Sequence, residues 1–381
     1  MPQKKEDLGK ESLARHKKHG GKLSVESKVQ LKTTKDWSTY YTPGVAAVSK
    51  QLAKKPKDAR VYSIKKNTVA VVSDGSAVLG LGKIGPYGAL PVMEGKAAIF
   101  KAVANVDAFP IVLDTHDPDE IIETVARIAP GFGGINLEDI ASPHCFYIEE
   151  ELKKRLSIPV MHDDQHGTAI VVLAGLVNAL KVVKKKKEDV SITILGSGAA
   201  GIAIAKLLVK DGFKDVCMVD REGVIKAARG KLPEHKKKLT KIPCKRKGCK
   251  TLEETVKGTD VLIGVSGPNN FSKELVASMN EHAIVFALAN PTPEIMPDKA
   301  KAAGAAVVAT GRSDFPNQVN NALVFPGVFR GVLDKGVSAI TDDMKIRAAY
   351  ALARLIKKPT AKKIIPRVTD KRVVKAIAKV M

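Results

Sequence analysis

Residues 191–201 read Ser-Ile-Thr-Ile-Leu-Gly-Ser-Gly-Ala-Ala-Gly, and this stretch decides the fold. The β-branched run Val190–Leu195 predicts a buried strand and Ile202–Val209 a helix, so Gly196, Gly198 and Gly201 fall on the turn between them. A GxGxxG pattern alone is weak, but between a strand and a helix it is the turn of a dinucleotide-binding βα unit. Gly196 permits the tight turn, Gly198 lets the backbone approach a pyrophosphate, and Gly201 lets helix and strand pack closely, with Ser197, Ala199 and Ala200 completing the cradle. Free N–H groups and the positive helix end would hold the diphosphate. The competing reading is a glycine-rich turn without a cofactor. Nineteen residues after Gly201, Asp220 ends the next strand, where an acid accepts from the adenosine ribose hydroxyls. It favours NAD over NADP, although Arg221 beside it could pair with a 2′-phosphate.

The same rhythm extends in both directions. Before the turn, strands are expected at Val69–Val72, Val106–Leu113, Gly134–Leu137 and Ile158–Met161. Helices are expected at Pro91–Ala104, Pro118–Ile128, Pro143–Leu156 and from Gly167 to about Lys184. After it come strands near Val216–Val219, Val261–Gly264, Ile284–Leu288 and Ala306–Ala309, then a helical, basic tail. Strands alternating with helices imply α/β architecture with parallel sheets. Two domains are expected, 1–160 and 161–381, the second a doubly wound Rossmann-type sheet with C-terminal helices. Near the N-terminus, Glu11–His19 reads as a short helix and Lys22–Val29 as strand-like. Lys231–Lys250 reads as an exposed helix end and loop.

Composition narrows the class. The 381 residues hold 63 Lys+Arg and 40 Asp+Glu, a net charge of +23, with 44% apolar and 4% aromatic residues. The length suits two domains and the apolar content excludes a disordered chain. Few aromatics and no helix-turn-helix or zinc pattern count against specific nucleic-acid binding, which the charge alone would invite. Four Cys predict a reducing, cytoplasmic setting without disulfides, Cys244 and Cys249 being ordinary thiols. No apolar stretch follows the basic start, so no secretory leader is expected. Thr168–Val183, interrupted by Asn178, reads as a buried helix rather than a membrane span.

Two acidic pairs stand at predicted strand ends, Glu138-Asp139 and Asp163-Asp164. Either pair alone could cap a helix, since Asp139 and Asp164 both stand before one. Converging carboxylates would instead repel one another unless a cation lay between them, and hard oxygen ligands suit Mg²⁺ or Mn²⁺. Lys96, near a helix start, could have its pKa lowered there and act as a base, or could be a surface lysine. Tyr40-Tyr41 leads into a Pro-Gly turn.

These segments together resemble the short-form malic enzymes of bacteria and archaea. The resemblance runs through HKKHGGKL (16–23), YTPGVA (41–46), SDGSAVLGLGKIGP (73–86), PVMEGKA (91–97), GINLEDIASPHCFYIEE (134–150), IPVMHDDQHGTAI (158–170), ANPTPE (289–294) and PNQVNNALVFPG (316–327). It implies an N-terminal catalytic domain and metal-dependent oxidative decarboxylation of L-malate to pyruvate and CO₂ with a nicotinamide cofactor, in a homodimer. By the same resemblance, Glu138, Asp139 and Asp164 match metal ligands, Lys96 the general base, Asp163 the neighbour that orients it, and Tyr41 the general acid. Asn290 and Asn320 match cofactor contacts, and Asn290 and Asn321 substrate contacts. The chain departs from the larger malic enzymes at Asp74–Val78, where those carry a substrate-binding Arg. Lys83 is the expected substitute. A non-redox oxaloacetate decarboxylase would use the same acids without needing Gly196–Gly201.

Overall fold

A computed structural model describes residues 5–78, 80–230, 232–246 and 248–381. Leu79, in the 73–86 motif, and Lys231 and Lys247, in the basic stretch 231–250, lie outside the described residues. Strands β1 (Thr68–Ser73), β2 (Asp107–Val112), β3 (Gly134–Leu137) and β4 (Val160–His162) form a parallel sheet in the order β2-β1-β3-β4. Helices α1 (Lys5–His19), α2 (Thr34–Tyr40), α3 (Val45–Lys54) and α4 (Ala59–Tyr62) precede it, and α5 (Gly85–Ala104), α6 (Pro118–Ile128) and α7 (His144–Arg155) connect its strands. The sequence Thr-Val-Ala-Val-Val-Ser of β1 is buried throughout, as expected of a strand covered on both faces.

Helix α8 (Asp163–Val183) leads into a second sheet of β5 (Ile192–Leu195), β6 (Val216–Asp220), β7 (Gly223–Val224), β8 (Val261–Gly264), β9 (Ile284–Ala287) and β10 (Val307–Thr310). Its order is β10-β9-β8-β5-β6-β7, parallel except for β7, and α9 (Ala199–Lys210) joins β5 to β6. The chain leaves β5 in one direction and returns on its other side at β8. The crevice at the carboxyl ends of these two strands is therefore the topological switch point where such sheets bind ligands.

Helix α5 begins six residues before the predicted Pro91, and carries that proline inside it. Its buried Ala89, Met93, Lys96, Ala97, Phe100 and Ala104 follow a helical stripe, and packing along that stripe outweighs the local cost of Pro91. Helix α8 begins at Asp163 rather than Gly167 and, among the described residues, is the one helix long and apolar enough to cross a membrane. It is a core helix here, with 67% of its most apolar window buried. Asn178 Nδ2 donates to the carbonyls of Ala353 and Ile364 at 2.8 and 2.9 Å, so its polarity fastens the C-terminal segment.

The terminal helices serve both domains. Residues Phe325–Lys335 return to α5, with Phe100 4.7 Å from Phe325 and 5.5 Å from Phe329 between ring centroids. Residues Asp342–Arg354 pack on α8.

Three expectations are corrected. Lys22–Val29 forms no strand, because no neighbouring strand pairs with it. Cys217 and Cys244 form a disulfide rather than standing as thiols. The segment carrying Cys244 runs beside β6, where Val216 N–H donates to Pro243 O and Lys245 N–H to Asp215 Oδ1, a proximity invisible in a 27-residue separation. Cys145 and Cys249 remain free. Finally, the basic stretch is partly internal, since Leu232 and Leu239 are buried.

Candidate active site

The carboxyl ends of β1, β3 and β4 bring together Asp74, Glu138, Asp139, Asp163 and Asp164. One carboxylate oxygen each from Glu138, Asp139 and Asp164 lies within 4.8 Å of the others. Asp139 adopts a left-handed backbone (φ 53°), and its N–H donates to Asp164 Oδ2 at 2.9 Å. The loop after β1 is tied to this turn, with Ala77 N–H donating to Asp139 O and Ala141 N–H to Ser76 Oγ.

The capping alternative fails for both pairs. Helix α7 starts five residues after Asp139, and α8 has Asp163 and Asp164 inside its first turn with no side-chain cap. Carboxylates there are favoured by the helix dipole.

Lys96 enters the cluster from α5. It is 8% exposed, its Nζ lies 2.8 Å from Glu138 Oε1, it is hydrogen-bonded to Asp163 Oδ2, and it sits 4.4 Å from the centre of the Phe325 ring. Burial works against the ammonium, but Asp163, Glu138 and Asp164 together raise its pKa above that of an ordinary lysine. The expected lowering is thus reversed in this arrangement. Burial, with the charges of Asp164, Asp163 and Asp139 adding to it, pushes the Glu138 carboxyl well up despite Lys96. Burial also raises Asp163, whose Oδ1 is buried without a hydrogen-bond partner. Three acids crowded on one cation, with an unsatisfied buried oxygen beside them, fit a hard divalent ion of the Mg²⁺ or Mn²⁺ type.

The glycine turn stands at the head of α9, which packs on α8, the helix that carries Asp163 and Asp164 in its first turn. Gly196 has φ 120°, and a Cβ there would stand 2.5 Å from Val265 O. A Cβ on Gly201 would stand 2.0 Å from Gly196 O, whereas nothing lies within 4 Å of one on Gly198. Two glycines are therefore demanded by the protein itself, and the third leaves open space before the first turn of α9. That opening, flanked by Ser197, Ala199 and Ala200 at the head of α9, fits a dinucleotide diphosphate.

Other predicted residues are distributed as follows. Asn321 packs its Cβ near Gly167 on α8, one turn from Asp163, and Asn320 Oδ1 accepts the Ala322 N–H. Asn290 is exposed after β9, with its carbonyl against Gly80 of the loop after β1. Lys83 is exposed on that loop and makes no hydrogen bond or ion pair with the acid cluster. Tyr41 is 64% exposed, and no hydrogen bond joins it or Tyr40 to Lys96 or the acids. Asp220 is held by Arg229 and Lys236.

Sequence reasoning missed two buried carboxylates. Glu149 on α7 accepts the His162 N–H (2.9 Å), His166 Nε2 (2.9 Å) and Lys153 Nζ (2.8 Å), clasping the β4–α8 junction. Glu294 accepts the N–H groups of Ser266 and Ala289, joining the loops after β8 and β9. Both lie inside quoted motifs, IEE and PTPE, but nothing in a single sequence separates them from surface acids.

Two α/β sheets, a nucleotide-type glycine turn at the switch point of one and an acid cluster at the strand ends of the other define a two-domain dinucleotide-dependent enzyme. Residues 20–153 match the family model of the malic enzyme N-terminal domain, and 165–380 that of the malic enzyme NAD-binding domain. The chain is 52% identical over 375 residues to the bifunctional malic/malolactic enzyme of Bacillus subtilis, covering 98% of this chain and 92% of that one. It is 51% identical to the NAD-dependent malic enzyme of Geobacillus stearothermophilus, covering 94% and 75%. The crystal structure of NAD-dependent malic enzyme from Thermotoga maritima matches with TM-score 0.94 and 46% identity, covering 97% of this chain and 98% of that one. The chain belongs to the malic enzyme family.

Proposed function

We propose that this protein catalyses the oxidative decarboxylation of L-malate to pyruvate and CO₂, with reduction of NAD or NADP and a requirement for Mg²⁺ or Mn²⁺. The observation that carries this reading is the convergence of Glu138, Asp139 and Asp164 within 4.8 Å beside Lys96. These three acids would hold the ion, which supplies positive charge to the malate C1 carboxylate and C2 oxygen. Lys96 is an ammonium among these carboxylates, so it would take the C2 hydroxyl proton only after giving one up, which the charge of a bound ion would favour; Asp163, its hydrogen-bonded partner, orients the nitrogen. Asn290 and Asn321 orient the substrate, Asn290 and Asn320 the nicotinamide, and Lys83 reaches toward the substrate carboxylate. Gly196–Gly201 binds the diphosphate. Residues 1–160 act as the catalytic domain and 161–381 as the nucleotide domain.

Tyr41 is the proton donor to C3. Its exposure, with helices α2–α4 burying no side chain and leaving Trp37, Val45, Val48 and Tyr62 exposed, supports a homodimer formed through this segment. A second copy covers the apolar face and brings a tyrosine hydroxyl, its own or its partner's, to the substrate.

The test is an assay of malate with NAD and with NADP, with Mn²⁺ or with EDTA, quantifying reduced cofactor, pyruvate and lactate. Pyruvate in equal amount to reduced cofactor, abolished by EDTA, is expected. Oxaloacetate decarboxylation without any cofactor reduction from malate would establish the non-redox reading instead. Lactate without net reduced cofactor would favour malolactic chemistry, which the name of the B. subtilis relative includes.

A further inference from the structure

A cavity of about 290 Å³ lies where α7 meets α8, α9 and the helix of residues Asp342–Arg354. Neither Lys96, nor the candidate metal ligands, nor the glycine turn lines it. Its volume is near the lower end of the range for small-molecule sites. Phe146, Ala169, Ala203 and Leu207 give it an apolar wall. Lys153, Lys206 and Lys345 bring three ammonium groups to it, each from a different helix.

These cations have donors to spare. Lys345 is 5% exposed, yet only one of its three N–H groups is used among the described residues, toward Asp342 Oδ1 at 2.9 Å. Lys206 is exposed and makes no hydrogen bond or ion pair among the described residues. Lys153 Nζ makes one contact, to Glu149 Oε1 at 2.8 Å. The acids around the cavity do not match this supply. Glu149 already accepts from His162, His166 and Lys153, and the side chains of Asp342 and Glu150 are more than half exposed. Burial pushes Lys345 and Lys206 below the ordinary lysine value. The leading charge on each is another lysine, Lys153 on the first and Lys238 on the second, ahead of Asp342. A buried ammonium with empty donor positions is costly, and an anion with several acceptor oxygens relieves that cost.

We propose that this cavity binds a phosphate group, either free or as the head of a small phosphate monoester. A carboxylate is best matched by the flat fork of an arginine, and among the described residues no arginine lines the cavity. Phosphate is tetrahedral, presents oxygens in several directions and accepts lysine as a point charge. Lys345 is the fixed ligand, Lys206 closes on the anion from α9, and an esterified group lies against Ala203 and Leu207. The site is separate from the acid cluster, so neither malate nor a nicotinamide is needed to probe it.

Calorimetric titration of the full chain with inorganic phosphate and with glycerol 2-phosphate, at an ionic strength fixed by chloride, tests this. Saturable binding of at least one of them is expected, and the tighter of the two tells whether the free ion or an ester is the better ligand. Lys206→Gln should weaken that binding about tenfold and Lys345→Gln at least as much, each losing a charge-assisted contact. Lys206 is exposed, so its variant decides the matter even if Lys345→Gln does not fold. Phosphate held at the glycine turn instead would keep its affinity in Lys206→Gln. That result, or no saturable binding of either compound, overturns the proposal.

Discussion

Lys96 is the residue on which the chemistry turns, because the same carboxylates that anchor it determine its charge. Removing its amine in Lys96→Met should cut kcat by about 10²–10⁴-fold, the usual contribution of a positioned acid–base group. Glu149 acts one step removed. Its hydrogen bonds to His162 and His166 bracket Asp163 and Asp164, so Glu149→Ala should weaken Mn²⁺ binding, measured directly by electron spin resonance, about 10–100-fold. Glu149→Gln, which retains an acceptor, should recover part of that loss. A fall in melting temperature without weaker Mn²⁺ binding would mean that Glu149 holds only the fold. Lys83→Ala should raise the malate KM strongly with kcat little changed if Lys83 stands in for the arginine of larger relatives. At this scale the sequence revealed residues whose neighbours carry the meaning, such as paired acids at a strand end. Glu149, Glu294 and the partners of Asp220 stayed hidden because only burial and long-range contact distinguish them from solvated side chains.

Among the elements, the glycine turn separates structural need from ligand need. Gly201→Ala pushes a methyl onto the Gly196 carbonyl and should destabilise the protein by about 1–3 kcal/mol, seen as a lowered melting temperature. Gly198→Ala meets no atom and should melt like the parent while binding NADPH and NADH poorly. Equal losses of stability in both variants would remove the distinction. The turn was legible beforehand because strand, glycines and helix all agree locally. The beginning of α5 was not, since Pro91 argues locally against a helix running through it, while Pro86 suits the first turn and a buried stripe sustains the rest. Nor was the first turn of α8, where two adjacent acids read as a cap preceding a helix although they belong to it.

On the scale of the whole molecule, the unburied helices α2–α4 are the surface through which the proposed dimer would form. Trp37→Asp combined with Val48→Asp should convert a dimer to a monomer in light scattering and reduce turnover. A monomeric parent protein with full activity would reject the dimer. His166 gives the fold a pH dependence. Burial, with Lys345 and Lys153 adding to it against Glu149, pushes its pKa from 6.5 to about 4. The unfolded chain therefore binds a proton that the folded chain refuses between those values, and stability falls as pH drops from about 6.5 toward 4. The loss is at most about 3 kcal/mol, and His166→Gln should flatten the decline in melting temperature over that interval. The division into two α/β units was readable from the alternation of strands and helices, but the return of Phe325–Lys335 to α5 was not, because no local pattern encodes which distant surface a terminal helix will cover.

Helices α8 and α9 lie packed together in one apolar core, the first turn of one bearing Asp163 and Asp164 and the head of the other leaving open space at Gly198. Their interlocked flanks would therefore set the spacing between a substrate held beside Asp163 and a cofactor held at the glycine turn. Repacking that seam would change that distance without altering any group that touches either one.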